Sequence, residues 1–315
     1  MSRVLVTGGA GGIGAAVVKR LLADPAYEVR VSDQRPAPRW MREGCEVRTG
    51  DLRRPGEAAA ATVGCTQVIH LSVGAEDAGS SPHTVLELNR ARDDAVIRAA
   101  VALGVERLVY LSSSLVFERA ELFPTPEDYL PQCPTPLSVD GFSKLAGEIS
   151  CRAAHDEHGL AYTICRPFDP YGLVGPEEGE VAGAIHGLIL QALTGRSALE
   201  ISGSGARTRT PTHIEDLAEG LVVAMSSPAA LNEDFNISAD RELALADIAR
   251  AVWDECGRDP EHFALEHVPA LATEVKRRRP SVEKARTLLG WEARIGVEDG
   301  IAATVRWLRE RQAAA

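Results

Sequence analysis

Gly8, Gly11 and Gly14 stand three residues apart directly after the apolar run Val4-Leu5-Val6, and Ala15–Leu22 follows with helical spacing. A strand, a glycine loop and a helix in that order can cradle a pyrophosphate. Gly8 permits a tight turn, Gly11 lets the backbone approach the anion, and Gly14 lets helix and strand pack closely. Gly12 and Ile13 complete the loop, and the N–H groups and positive dipole end of the helix would hold the charge. About twenty residues on, Asp33 closes a second apolar stretch. A carboxylate there can accept both hydroxyls of an adenosine ribose and repels a 2′-phosphate, which selects NAD over NADP. Arg35 would soften that preference. A further group is Asp140-Gly141-Phe142-Ser143-Lys144. At positions i and i+4 of a helix its carboxylate and ammonium face the same way and could form an ion pair. The carboxylate could also accept a proton from an alcohol that is losing hydride. His155 and His158 resemble half of a metal site, but with no third ligand nearby they read as a solvated helix face and no metal is expected.

These groups need a scaffold, and the intervening chain supplies one. Strands are expected at Glu28–Ser32, Glu46–Thr49, Gln67–Leu71 and Arg107–Leu111, with a polar loop at Ala75–Ser81 and a helix at Val85–Leu103. Strands alternating with helices at this rhythm give an α/β fold, a doubly wound parallel Rossmann sheet. Beyond it, helices are expected at Val181–Leu193, Ile214–Met225, Leu245–Glu255 and Val297–Arg311, with strands at Leu199–Ile201 and Phe235–Ile237. Residues 1–172 then form the cofactor-binding domain, and residues 173–315 mainly a smaller α/β substrate lobe interleaved with it. The loops Gly172–Glu180 and Ser202–Thr208 are rich in glycine and polar residues, as loops that close over a ligand are.

Composition narrows the function. The chain has 315 residues, 45% hydrophobic and 25% charged, and a net charge of −11. These values suit a soluble globular protein and argue against a nucleic-acid surface; the basic run Lys276–Arg279 reads as a solvated turn. No apolar segment is long enough to span a membrane, no signal peptide precedes the first strand, and six scattered cysteines suit a reducing compartment. The expected location is cytoplasmic.

Further pieces give the sequence a resemblance. These are Gly50-Asp51-Leu52, His70-Leu71-Ser72, Asn89, the run YLSSSLVF at 110–117, and Gly141–Glu148. Arg166–Gly172, Arg209–Asp216, Lys284-Ala285-Arg286 and Leu289-Gly290-Trp291 follow in order. With the glycine loop they make the chain resemble an extended short-chain dehydrogenase/reductase of the NAD-dependent sugar epimerase/dehydratase family. The resemblance implies NAD as cofactor, held by the glycine loop, Asp33, Asp51, Leu52, Leu71, Ser72, Val73, Asn89, Lys144 and Phe168. It also implies a sugar-like small-molecule substrate touching Ser114, Asp169 and Arg209, and a homodimer paired through the helices at Val85–Leu103 and Phe142–His158.

The family's chemistry uses a serine, a tyrosine and a lysine around the nicotinamide, and the resemblance places Ser113 and Lys144 in two of these positions. The tyrosine position is Asp140. Three roles are open to it: a substitute general base, a substrate-binding carboxylate, or the relic of a lost activity. Tyr171 is the nearest phenol, though the family has a structural turn there. Leu115 stands where family dehydratases carry an acid, which counts against 4,6-dehydration. Asp169 replaces a family asparagine, and no arginine stands in Leu271-Ala272-Thr273, so the pocket is expected to take a diphosphate poorly. The expected activity is NAD-dependent hydride transfer, as an epimerase or dehydrogenase, on a sugar or similar polyhydroxylated compound. The alternative is a catalytically inactive NAD-binding sensor or scaffold.

Overall fold

A computed structural model describes residues 2–72, 81–172, 183–269 and 275–314. Seven strands form the central sheet: β1 Ser2–Thr7, β2 Tyr27–Asp33, β3 Glu46–Thr49, β4 Gln67–His70, β5 Arg107–Leu111, β6 Tyr162–Pro167 and β7 Glu233–Ile237. Their spatial order is 3-2-1-4-5-6-7, and every neighbouring pair is parallel. The order reverses beside β1, between its neighbours β2 and β4, and an open parallel sheet takes its ligands at the carboxyl ends of strands around such a point. This is the doubly wound Rossmann sheet expected from the sequence.

Strand alternation sorts the core onto two faces. Val4 and Val6 point into one apolar cluster and Leu5 into the other. The first face is covered by α1 (Gly12–Leu22) and, much later in the chain, by α7 (Ile214–Ser226). Short helices α2 (Arg39–Gly44) and α3 (Pro55–Thr62) precede α4 (Pro82–Ala102) and α5 (Val139–His158), which cover the second face. A separate apolar cluster lies among α6 (Ala184–Leu193), α8 (Leu245–Glu255) and α9 (Val297–Ala314), with Ile189, Trp253 and Ile301 at its centre. Strand Leu199–Ser202, paired in parallel with Leu265–Val268, completes that lobe.

Helix α5 matters most for the site. Its N-cap is Ser138, whose Oγ accepts the Gly141 N–H at 3.1 Å, and it ends on Gly159 in the left-handed conformation. The Glu118 carboxylate in turn accepts the Ser138 N–H at 2.9 Å and also binds the Ser138 hydroxyl. Ser138→Ala is therefore expected to cost about 1 kcal/mol in urea unfolding, with a smaller loss if the cap is replaced by Thr, which keeps the hydroxyl that Glu118 binds.

Candidate active site

The glycine loop fits a dinucleotide's pyrophosphate. Gly8 has φ +69°, and its N–H donates to the Ser32 carbonyl at 2.8 Å, which ties the loop to the end of β2. A Cβ on Gly14 would overlap the Gly8 carbonyl, so only glycine lets α1 start this close to β1. Gly11 is the N-cap and no side chain caps the helix, so its first N–H groups open onto the loop. Asp33, 8% exposed, accepts the Ala10 N–H at 3.0 Å and the Arg35 N–H at 2.9 Å. The Arg35 guanidinium folds back onto the same carboxylate at 3.3 Å. Asp51 accepts Gln34 Nε2 at 2.9 Å, and hydrogen bonds from Arg53 hold its carboxyl down at about 2. Leu52 and Leu71 are buried, and Val73 lies outside the described residues.

Beside this loop is a cleft of about 230 Å³. It gathers Ile13 and Ser72 from the cofactor side, Asn89 from α4, Ser113 after β5, and Asp140 and Lys144 from α5. Ser113 caps a short 3-10 turn, its Oγ accepting the Leu115 N–H at 3.1 Å. Lys144 donates to the Leu111 carbonyl at 2.7 Å, and burial lowers its pKa below the usual lysine range. Asp140 lies exposed in the first turn of α5. No ion pair closes between Asp140 and Lys144 among the described residues, so the i,i+4 pairing allowed by sequence is not made. Ser143, to which the sequence assigns no role, is 5% exposed, lines the same cleft and has an Oγ without a hydrogen-bond partner.

Ser114 is 5% exposed inside the 3-10 turn, and its neighbours Ser112, Ser113 and Leu115 line the cleft. Phe168 is buried against Val116 and Phe117, behind Pro167, which does reach the cleft. Tyr171 is no displaced phenol: its hydroxyl turns to the Gly296 and Val297 carbonyls at 3.4 and 3.5 Å.

A second cleft, of about 290 Å³, holds Asp169, Arg209 and Arg278. Asp169 sits at φ +38°, a conformation that Asp tolerates better than most residues. Its Oδ2 accepts the Thr210 N–H at 3.0 Å, and its Oδ1 accepts Arg278 Nη1 at 2.8 Å with Arg209 Nε at 3.7 Å. The basic run 276–279 is therefore not simply a solvated turn. Arg277 pairs with Glu242, and Arg278 turns inward to Asp169. Two guanidiniums face one carboxylate, so Asp169 does not stand alone in this cleft and the side chains around it carry a net positive charge. Leu271-Ala272-Thr273 and most of the Gly172–Glu180 loop lie outside the described residues.

His155 Nδ1 is 3.2 Å from the Leu160 carbonyl, and the His155 ring meets Tyr162 edge-on. Among the described residues, no group of three or more His, Cys, Asp or Glu side chains could hold a metal, and no helix is long and apolar enough to cross a membrane.

Comparison with known proteins agrees with this geometry. UDP-glucuronic acid decarboxylase 1 of Danio rerio is 28% identical over 319 residues, covering 97% of this chain and 72% of that protein. The crystal structure of UDP-glucose 4-epimerase with UDP-glucose from Thermotoga maritima superimposes with a TM-score of 0.87 at 25% identity, covering 98% of this chain and 99% of that one. The Thermus thermophilus UDP-glucose 4-epimerase in complex with NAD gives 0.84 at 25% identity, covering 98% and 99%. Residues 4–238 match the NAD dependent epimerase/dehydratase family. With the glycine loop, Asp33 and the Ser113–Lys144 cleft in place, the chain belongs to that family and is an NAD-dependent enzyme of the extended short-chain dehydrogenase/reductase type.

Proposed function

We propose that the protein oxidises a hydroxyl-bearing carbon of a nucleotide-linked sugar, with Ser113, Asp140 and Lys144 at the reacting oxygen. The observation that carries this reading is the single cleft joining those three side chains to Ile13 of the glycine loop. NAD, when bound, supplies the hydride acceptor. Asp140 takes the hydroxyl proton; its carboxylate is tied by no hydrogen bond or ion pair among the described residues, so it is open to substrate. Ser113 donates to the reacting oxygen, since its Oγ only accepts from Leu115 and keeps its proton. Lys144 spends one donor on Leu111 and has two left for the nicotinamide ribose and the developing charge. The cofactor contacts proposed are Gly8, Gly11, Gly12, Ile13, Gly14, Asp33, Asp51, Leu52, Leu71, Ser72, Asn89 and Phe168, together with Lys144. No observation favours a non-catalytic sensor.

Arg209 and Arg278 are proposed to face the diphosphate of the substrate, with Asp169 aligning them. The relatives named for UDP-linked sugars support this class. A panel of UDP-, GDP- and dTDP-sugars with NAD tests it, and turnover is expected for a nucleotide sugar and not for the free sugar. Arg278→Ala should weaken nucleotide-sugar binding by about 10–100-fold in calorimetry, the loss of charge-assisted hydrogen bonds worth about 1.5–3 kcal/mol. Unchanged affinity would remove the diphosphate from this cleft.

Cofactor choice gives a further expectation. NAD(H) should bind more tightly than NADP(H), and Asp33→Ala should narrow the gap more than any change at Arg35. The mutation removes both the ribose acceptor and the charge opposing a 2′-phosphate. Calorimetry with both cofactors decides it, and equal or tighter wild-type binding of NADP(H) defeats the assignment of Asp33.

A homodimer is part of the proposal. Phe142 and Ile149, 44% and 58% exposed and seven residues apart, form an apolar outer stripe on α5 suited to pairing with a second copy. All six cysteines are free, which fits the cytoplasm as the proposed compartment.

A further inference from the structure

Behind the reaction cleft lies a buried polar chain that runs from β1 to α5. Thr7 Oγ1 accepts the N–H groups of Leu71 and Ser72 at 3.2 and 3.3 Å, and lies 2.6 Å from His70 Nδ1. With its oxygen already accepting, the Thr7 hydroxyl donates to Nδ1. The proton of a neutral His70 is then on Nε2, which donates to Asp93 Oδ1 at 3.0 Å. The Tyr110 hydroxyl donates to Asp93 Oδ2 at 2.6 Å. Both oxygens of Asp93 thus accept, as in a carboxylate, and His70 is the uncharged member of the pair. Burial moves His70 in that direction, lowering its pKa. Burial works against the Asp93 charge, yet the hydrogen bonds from His70 and Tyr110 and the Lys144 ammonium hold its carboxyl below the usual range.

Asp93 is 6% exposed and lines the same cleft as Lys144. The Lys144 ammonium lies 4.9 Å from the centre of the Tyr110 ring. One turn further along α5, Gly147 lets this cluster touch the helix. A Cβ there would overlap the Tyr110 hydroxyl and come within 2.7 Å of Asp93 Oδ2. Asp140, on the same helix as Lys144, is exposed to water, which screens its field far more than that of a buried carboxylate. We propose that Asp93, and not Asp140, is the positioning residue whose negative charge holds Lys144 as an ammonium in the cleft.

The other groups around Lys144 leave that part to Asp93. Arg92, beside it on α4, opposes the ammonium. His70 is neutral, and burial pushes the Tyr110 hydroxyl and the Cys151 thiol well up, so neither is ionised. Asp140 is thereby left free to exchange protons with substrate without discharging Lys144.

The proposal rests on placing Lys144 at the reaction site, but its test needs no substrate. The chain has four lysines, Lys19, Lys144, Lys276 and Lys284, so the ¹³Cε signal of Lys144 in lysine-labelled protein can be assigned with Lys144→Arg and followed against pH. Asp93→Asn should lower the Lys144 midpoint by about one unit or more, and Asp93→Glu should largely restore it. Asp140→Asn should move it much less. The alkaline loss of NADH affinity, read by fluorescence, should shift to lower pH in Asp93→Asn alone. An unmoved Lys144 midpoint in folded Asp93→Asn, or a larger shift in Asp140→Asn, overturns the proposal. Should Asp93→Asn fail to fold, the surface variant Asp140→Asn decides: a midpoint within a few tenths of wild type upholds Asp93, and a drop of about one unit overturns it. Absence of turnover on every sugar tested would defeat the proposed function and leave this titration unaffected.

Discussion

Asp140→Asn should lower turnover by about 10²–10⁴-fold, the contribution of a positioned acid–base group, while leaving NAD binding nearly intact. The asparagine keeps the shape and the helix turn but cannot accept a proton. Cofactor affinity should survive because Asp140 makes no hydrogen bond or ion pair with the residues assigned to NAD, and Lys144 is anchored on the Leu111 carbonyl. The sign of the pH effect follows from the same role. A base acts only when ionised, so the wild-type rate of oxidation should fall on the acid side, and the variant should lack that limb. Steady-state kinetics across pH with calorimetry of NAD measure both halves. A wild-type rate in Asp140→Asn would end the base assignment and hand the proton to a relayed water, for which the buried Ser143 hydroxyl on the same cleft offers a hydrogen-bond partner. Asp140→Tyr would restore the family's residue types, but rescue depends on space beside Leu115 and Ser113, which line the same cleft.

Lys144→Ala should damage cofactor binding and rate together, and that distinguishes it from Asp140→Asn. Losing charge-assisted hydrogen bonds worth about 1.5–3 kcal/mol should weaken NAD by about 10–100-fold. The rate at saturating NAD should fall by a further ~10²–10³-fold, as when a preorganised donor to developing charge is removed. The buried Asp93 would also lose the ammonium near it, so some loss of thermal stability is expected. Binding isotherms, saturating-cofactor kinetics and a melting curve separate the three effects. A variant that binds NAD as wild type does would leave Lys144 a purely structural anchor for the Leu111 carbonyl.

Much of this protein is determined locally, and those parts are legible in the sequence. Strands Glu46–Thr49 and Arg107–Leu111 and helix Leu245–Glu255 are delimited to the residue by side-chain periodicity and their flanking turns. The glycine loop is equally plain, because Gly8 and Gly14 answer to the backbone's own sterics within a few residues. Strand Tyr162–Pro167 is absent from the sequence-based elements because every residue in it is buried, so it lacks the polar alternation that marks a half-exposed strand. Helices α2 and α3 are only 6 and 8 residues long, too short for an amphipathic pattern to stand out.

The charges of the site were decided by tertiary structure. In the sequence, Arg278 is one of several neighbouring cations; its partner Asp169 lies 109 residues away, and only the folded chain shows that it turns inward. Asp140 and Lys144 have a spacing that permits an ion pair, yet the lysine takes the Leu111 carbonyl, 33 residues earlier. Asp93 reads as an ordinary polar position on a helix until β4, β5 and α5 close around it and bring His70 and Tyr110 to its two oxygens. The physical reason is common to all three. Helical and strand periodicity comes from backbone geometry that neighbouring residues share. The weight of a charge depends instead on which distant groups surround it and how much water they exclude, and only the assembled fold sets those.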